Sequence, residues 1–298
     1  MLVSRSQATR MAASFRTILY LVSAACIIAF LIEQTTDMPI SFPPWFGSRT
    51  PWKEVVAAKT NRDMAKIPKA WVLHADVIED ARDRRQIAGE FFDSLLDEES
   101  RRITAMDASE LLQNLAEAQL SAVQVTIAFS KRAAYVHQIT NILLEIGFDL
   151  ALEQAQDLDL YFAKHNRLIG PLHGLPVTLK DQFHIKGLET SAAYVGWIGT
   201  FEGKRGTGKE KVFESELIRE LKFLGAVPIG KANITCNGHM GEGAMQALRG
   251  SVFGFGTDIG GSVSMPASYQ GVFSLKPSAG RISFKGGAQI VNKSCLLL

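Results

Sequence analysis

"ESELIRELKFLGAVPIGKAN", residues 214–233, decides how the rest of this chain is read. Its first part, "ESELIRELKFLG", reads as a helix whose C-cap is Gly225, a residue free to take the left-handed conformation that ends helices. "AVPIGKAN" then reads as a short buried strand. Upstream, "GPLHGLPVTLKD" (170–181) is a turn followed by another short apolar strand, "LPVTLK", which ends on Lys180. The glycine-punctuated stretch between them, "DQFHIKGLETSAAYVGWIGTFEG" (181–203), reads as loop. Strand, helix, strand is the cadence of an α/β sheet. Towards the C-terminus "GVFSLKPSAGRISF" (271–284) adds an expected strand and turn.

On the N-terminal side, Trp52 to about Asn166 is helical in pattern. "DASELLQNLAEAQ" (107–119) offers Asp107 or Ser109 as a cap, "SAVQVTIAFSKRAAYVHQI" (121–139) opens with Ser121, and "DLALEQAQDLDLYFAKH" (149–165) ends in basic residues. His137 and His165 on these helices read as surface or hydrogen-bonded core residues. Residues 34–51, with "SFPPWFGSRTP", read as a Pro-rich linker. Residues 1–33 form a separate segment. Arg5, Arg10 and Arg16 precede the uncharged run "ILYLVSAACIIAFLI" (18–32), and "EQTTDMP" after it has no small-x-small cleavage site. The run is short against the roughly 17–25 residues of a span. The expectation is an uncleaved, single-pass signal anchor that touches the membrane through residues 18–32 and keeps the arginines in the cytosol. The alternatives are a cleaved signal and a secreted chain, or a mis-assigned start and a cytoplasmic one.

The composition is globular. Of 298 residues, 47% are hydrophobic and 21% charged, enough to bury a core. A net charge of +2 gives no basic stripe for nucleic acid. Three scattered cysteines make neither a disulfide framework nor a zinc site.

Two residues carry chemistry. Lys180 ends an apolar strand, where desolvation lowers an amine's pKa and makes it a base; the plain alternative is a lysine that snorkels to the surface. In "GTDIGGSVSMPAS" (256–268), Gly260 and Gly261 allow a tight turn whose N–H groups converge. Such a nest stabilises an oxyanion, and Ser262 at its end is placed to attack a carbonyl. The plain alternative is a glycine-rich turn with an incidental serine.

"GPLHGLPVTLKDQFHIKG", "AVPIGKAN", "GEGAMQALRGSVFGFGTDIGGS" and "GVFSLKPSAGR", in this order, resemble the amidase signature family. "WKEVVAAK" and "AAYVGWIGTFEG" resemble its acetamidase-like, fungal general-amidase branch. The likeness covers about Trp52 to Arg281, so the expected domain is 52–281, with 282–298 a tail outside it. The resemblance implies an α/β amidase-signature fold, a mixed sheet flanked by helices with an N-terminal helical region. It implies hydrolysis of small-molecule carboxylic acid amides by a Ser–cis-Ser–Lys triad, without metal or organic cofactor. Carried over by motif, Ser262 is the nucleophile, Lys180 the base, and the backbone N–H groups of Ile259, Gly260, Gly261 and Ser262 the oxyanion hole.

The chain departs from the pattern. The family's bridging serine lies in "GGSSGGEGA"; here the text is "CNGHMGEGA" (236–244). Alignment on "GEGA" puts Gly238 at the bridging position and His239 after it, and glycine cannot relay a proton. The arginine usual two residues after the nucleophile is Ser264. The family's later strands are missing after "GRISF". The expectation is therefore a truncated, impaired amidase, with a catalytically inactive remnant or membrane-tethered binding protein as the alternative.

Other motifs resolve to bland readings. "GKRGTGKE" (203–210) nearly matches a phosphate-binding loop, but Glu210 stands where a hydroxyl belongs, so it reads as a solvated basic loop. Pro266 follows "GFGTDIGG" too soon for a dinucleotide helix. Asn233 and Asn292 begin sequons, and the terminal "CLLL" fits a prenylation box on Cys295 that conflicts with the expected topology.

Overall fold

The helical region begins where Pro51, with its fixed φ, precedes the first helix. In the computed structural model residues 51–234 and 241–288 are described. The expected anchor and linker, Gly238, His239, Asn292 and Cys295 lie outside the described residues.

The elements in order are α1 (Trp52–Met64), α2 (Ala75–Asp83), α3 (Glu90–Ser94), α4 (Glu98–Ala105), α5 (Ala108–Ala116), α6 (Ala122–Thr140), β1 (Leu143–Ile146) and α7 (Phe148–His165). There follow β2 (Pro176–Lys180), α8 (Glu216–Phe223), β3 (Val227–Ala232), α9 (Gly241–Ala247), β4 (Phe253–Phe255) and α10 (Ser264–Gln270). Local chemistry sets the boundaries. Asp107 with Glu110, and Ser121 with Gln124, form reciprocal capping boxes at α5 and α6. Asn141 and Asn166, both left-handed, end α6 and α7.

Helix α8 closes with a Schellman arrangement: Ala226 N donates to Leu221 O (2.9 Å) and Gly225 N to Lys222 O (3.0 Å). Gly225 itself sits at φ +93°, one position beyond the cap residue Leu224. This turn feeds directly into β3, which lies parallel to β2. The expected strand–helix–strand unit is formed.

The sheet is mixed, in the order β1-β3-β2-β4. β1 runs antiparallel to β3, and β4 parallel to β2. Successive side chains of a strand point to opposite faces. Val177 and Leu179 of β2 pack with Ile218 and Leu221 of α8 in one buried cluster. The N-terminal helices, with Phe92, Ile103, Leu111 and Phe129, build the other cluster, which includes Ile229 of β3.

Two expectations need correction. Residues 271–284 form no strand; the position beside β2 is taken by Phe253–Phe255, and Phe273 and Leu275 are left exposed. The membrane-anchored localisation is also corrected, while the expected span itself, residues 18–32, lies outside the described residues. No helix among the described residues is long and apolar enough to cross a membrane.

β1 has no counterpart in the sequence reading. Its Glu145 is buried against Lys59 of α1 and lies 3.3 Å from Lys66. A charge inside a short apolar run hides a strand, and here a buried lysine compensates it. His137 is buried, its Nδ1 accepting from Leu143 N at 3.1 Å; burial pushes its pKa down to about 4, so it stays neutral. His165 is exposed at the end of α7.

Candidate active site

In a parallel sheet the carboxyl ends of the strands form the natural ligand crevice. β2 ends on Lys180. β4, beside it, ends at Phe255 and leads into the loop of residues 256–263. Both termini open on one cavity of about 500 Å³, lined by Lys180, Ser262, Glu242, Phe253, Phe255 and Val272, among others. Lys180 is 7% exposed, and its Nζ donates to Thr257 O at 3.1 Å. The strand end thus turns the ammonium inward against the loop instead of letting it snorkel. Thr257 Oγ1 in turn donates to Gln182 Oε1, two residues past the lysine.

The loop is built around Asp258, which is wholly buried. Its carboxylate accepts from Gly261 N (2.7 Å), Val263 N (3.1 Å) and Ser264 N (3.3 Å), and pairs with Lys276 Nζ at 2.9 Å. Burial opposes ionisation, but the hydrogen bonds from Gly261, Lys276, Val263 and Ser264 outweigh it and hold the carboxyl well below the usual range. A buried charge with this many donors fixes the loop rigidly. Gly261 sits at φ +112°, in the region that favours glycine.

Of the four amides expected to face an oxyanion, Gly261 N is therefore engaged by Asp258. Ile259 and Gly260 are exposed and Ser262 is half-buried. α10 follows the loop with Pro266 in its first turn, where proline is tolerated.

The "GEGA" motif has a steric explanation. A Cβ on Gly241 would lie 2.3 Å from Asn233 O, and one on Gly243 would lie 2.9 Å from Pro266 Cβ. These glycines let α9 press against β3's exit and against α10. Between them Glu242 enters the cavity wall, where Thr178 Oγ1 donates to its Oε2 at 2.8 Å. Thr178 lies two residues before Lys180, on the same face of β2. Sequence reasoning assigned no role to Glu242, and only its place between two glycines marked it.

Gly254 of β4, paired with Thr178, completes this packing: a Cβ there would meet Glu242 Oε2 at 2.1 Å. Gly254→Ala is expected to lower stability by about 1–3 kcal/mol through overpacking, read from denaturant unfolding.

Other motifs are peripheral. Residues 204–209 are exposed, and Glu210 accepts from Thr207 N within its own turn, so "GKRGTGKE" is a solvated loop. Among the described residues no group of three or more His, Cys, Asp or Glu side chains is placed to hold a metal ion.

Comparison with known proteins decides the lineage. The family model described as Amidase matches residues 124–238 and 240–294. The chain belongs to the amidase family. Curated relatives put it on the acetamidase-like branch. An Acetamidase of Emericella nidulans is 39% identical over 251 residues, covering 78% of this chain and 45% of that protein. An Acetamidase of Aspergillus oryzae is 37% identical over 262 residues, covering 79% and 46%. Among solved structures, a fatty acid amide hydrolase superposes with a TM-score of 0.71 at 29% identity, covering 83% of this chain and 48% of that one. The chain thus spans about half the length of the relatives it matches. The family match runs to residue 294, and Phe284 packs edge-on against Phe183 at 6.0 Å.

Proposed function

We propose that this amidase-family chain hydrolyses carboxylic acid amides, small aliphatic ones above all, at a serine–lysine site, with turnover slowed by glycine at position 238. In this reading Ser262 Oγ attacks the amide carbonyl and its proton passes to the neutral amine of Lys180. The carbonyl oxygen, now an anion, is held by the amides of Ile259, Gly260 and Ser262; Gly261 stiffens the loop through Asp258. Collapse of the tetrahedral adduct breaks the C–N bond, and the lysine returns the proton to the leaving amine. Water then hydrolyses the seryl ester, with Lys180 again accepting a proton.

One observation supports this best: Lys180, at the end of β2, and Ser262, in the loop that follows the adjacent parallel strand β4, line a single cavity. Its apolar wall, with Phe253, Phe255 and Val272, suits a short acyl chain. A second reading, amide binding without turnover, is favoured by one feature, Gly238, which cannot carry a proton between the two.

Incubation of the full chain with a fluorophosphonate probe, followed by intact-mass measurement, separates the two. Slow single labelling that disappears in Ser262→Ala and falls sharply in Lys180→Ala is the expected result. A folded chain that takes up no label sinks the hydrolase reading in favour of the binding one.

A further inference from the structure

The cavity holds a second titratable group that the serine–lysine reading leaves unused. Glu242 lies on α9, its Oε2 bound by Thr178 Oγ1 at 2.8 Å and its Oε1 buried without a hydrogen-bond partner. Its neighbours among the described residues come from several elements. From β2 come Thr178 and, lining the same cavity, Lys180. From α9 comes Gln246, whose amide, turned to satisfy its neighbours, accepts from Ser251 Oγ (2.8 Å) and Gly254 N (3.2 Å). From the segment before β4 comes Ser251, 2.8 Å from Thr178 Oγ1, and from β4 itself the side-chain-free Gly254. Among the described residues, Lys180 is the charged group whose attraction reaches Glu242, across the cavity both line.

We propose that Glu242 is a positioning residue that tunes the charge of Lys180: as a neutral acid it favours the lysine's neutral form, and as a carboxylate it favours the protonated one. The inference rests on Lys180 as the site's base. The carboxyl's surroundings are asymmetric. A carboxylate needs donors on both oxygens to be stable when buried, and only one oxygen has one. Burial accordingly raises the Glu242 pKa from 4.5 to about 7, against the opposing pull of Thr178 and Lys180. An anion beside an amine favours the amine's charged form. Glu242 is thus protonated in mildly acid solution and titrates near neutrality, where the site has to supply an uncharged lysine. Gly254 is part of the device: a methyl group there would push the carboxyl off its seat.

Two measurements test this without needing turnover. The first is the pH dependence of Lys180 acylation by acetic anhydride, read by peptide mass in wild type and Glu242→Gln. Glutamine preserves shape and the Thr178 contact but cannot ionise. The midpoint for Lys180 is expected to fall by about one unit or more in the variant, while an exposed lysine such as Lys53 is unmoved. The second is unfolding free energy against pH. A group whose pKa is raised on folding stabilises fully below its unfolded value and loses that contribution as pH rises through its folded value. Wild type should therefore lose stability relative to Glu242→Gln between about pH 4.5 and 7. An unchanged Lys180 midpoint overturns the proposal, even if the stability curve moves, because Glu242 would then be structural only. Failure of Ser262 to label, with the Lys180 midpoint still shifted, would sink the hydrolase reading and leave the Glu242–Lys180 coupling standing.

Discussion

Gly238→Ser is expected to raise the rate of amide hydrolysis, and of fluorophosphonate labelling at Ser262, by about 10²–10⁴-fold. That is the range a positioned proton-transfer group contributes to a reaction. Aligned on "GEGA", the family's bridging serine falls on Gly238, and a hydrogen on Cα is no substitute for a hydroxyl that accepts a proton from Ser262 and passes one to Lys180. Without it the proton has to cross by water or a less direct route, although the nucleophile and base share a cavity. Groups that act as a relay are not additive, so restoring one member restores the function of all. The control is Gly238→Ala, which changes the backbone's freedom as serine does but adds no hydroxyl. A rate increase with alanine equal to that with serine would mean that the effect is conformational. No increase with serine would remove Gly238 as the cause of slow turnover.

How legible this chain was depends on the kind of signal. The β2–α8–β3 unit was readable because every local rule agreed: two short apolar runs, one amphipathic helix, and a glycine at the one position that must be left-handed. Lys180 and Ser262 stand out in the sequence as candidates, the one as a charge that ends an apolar strand and the other as the residue after two glycines; their catalytic roles come from the resemblance and remain proposals. β1 was not readable. Its four residues carry Glu145, and three-dimensional partners far away in sequence, Lys59 and Lys66, make that charge tolerable. The strand expected at 271–284 failed for the complementary reason. Its apolar residues have the right composition, but Phe253–Phe255 occupies the neighbouring edge of β2, and strand formation is decided by pairing more than by propensity. The role of Asp258 was equally invisible. Nothing in "GTDIGG" says that the acid turns back on its own loop and takes the Gly261 amide, which the motif alone assigns to an oxyanion.

Lys231→Met is expected to be the most damaging single change to the fold, costing about 3–5 kcal/mol. Lys231 Nζ lies 2.6 Å from Asp181 Oδ1, and neither side chain has any exposure to solvent. The ammonium also donates to Thr190 Oγ1 at 2.8 Å. The other carboxylate oxygen accepts from Ser191 N (3.1 Å), Ser191 Oγ (2.9 Å) and Ala192 N (2.9 Å). The pair therefore ties β3 to the residue after Lys180 and to the loop at 190–192. Methionine keeps the length of the stem and removes only the charge, leaving Asp181 ionised in a dry interior or forced to take up a proton. Either outcome is expensive, because the energy of such a pair lies mostly in what happens when half of it is lost. Lys131→Met is the matched control. Its partner Asp97 is 47% exposed, and a pair open to water contributes about 0–1 kcal/mol. Urea unfolding of both variants, with the slope unchanged from wild type, gives the comparison. Because Asp181 is covalently next to Lys180, the Lys231→Met variant should also lose labelling at Ser262 under conditions where it remains folded. A loss of stability no greater than that of Lys131→Met would show that desolvation cancels the buried pair's attraction, and that the end of β2 is held by its strand neighbours alone.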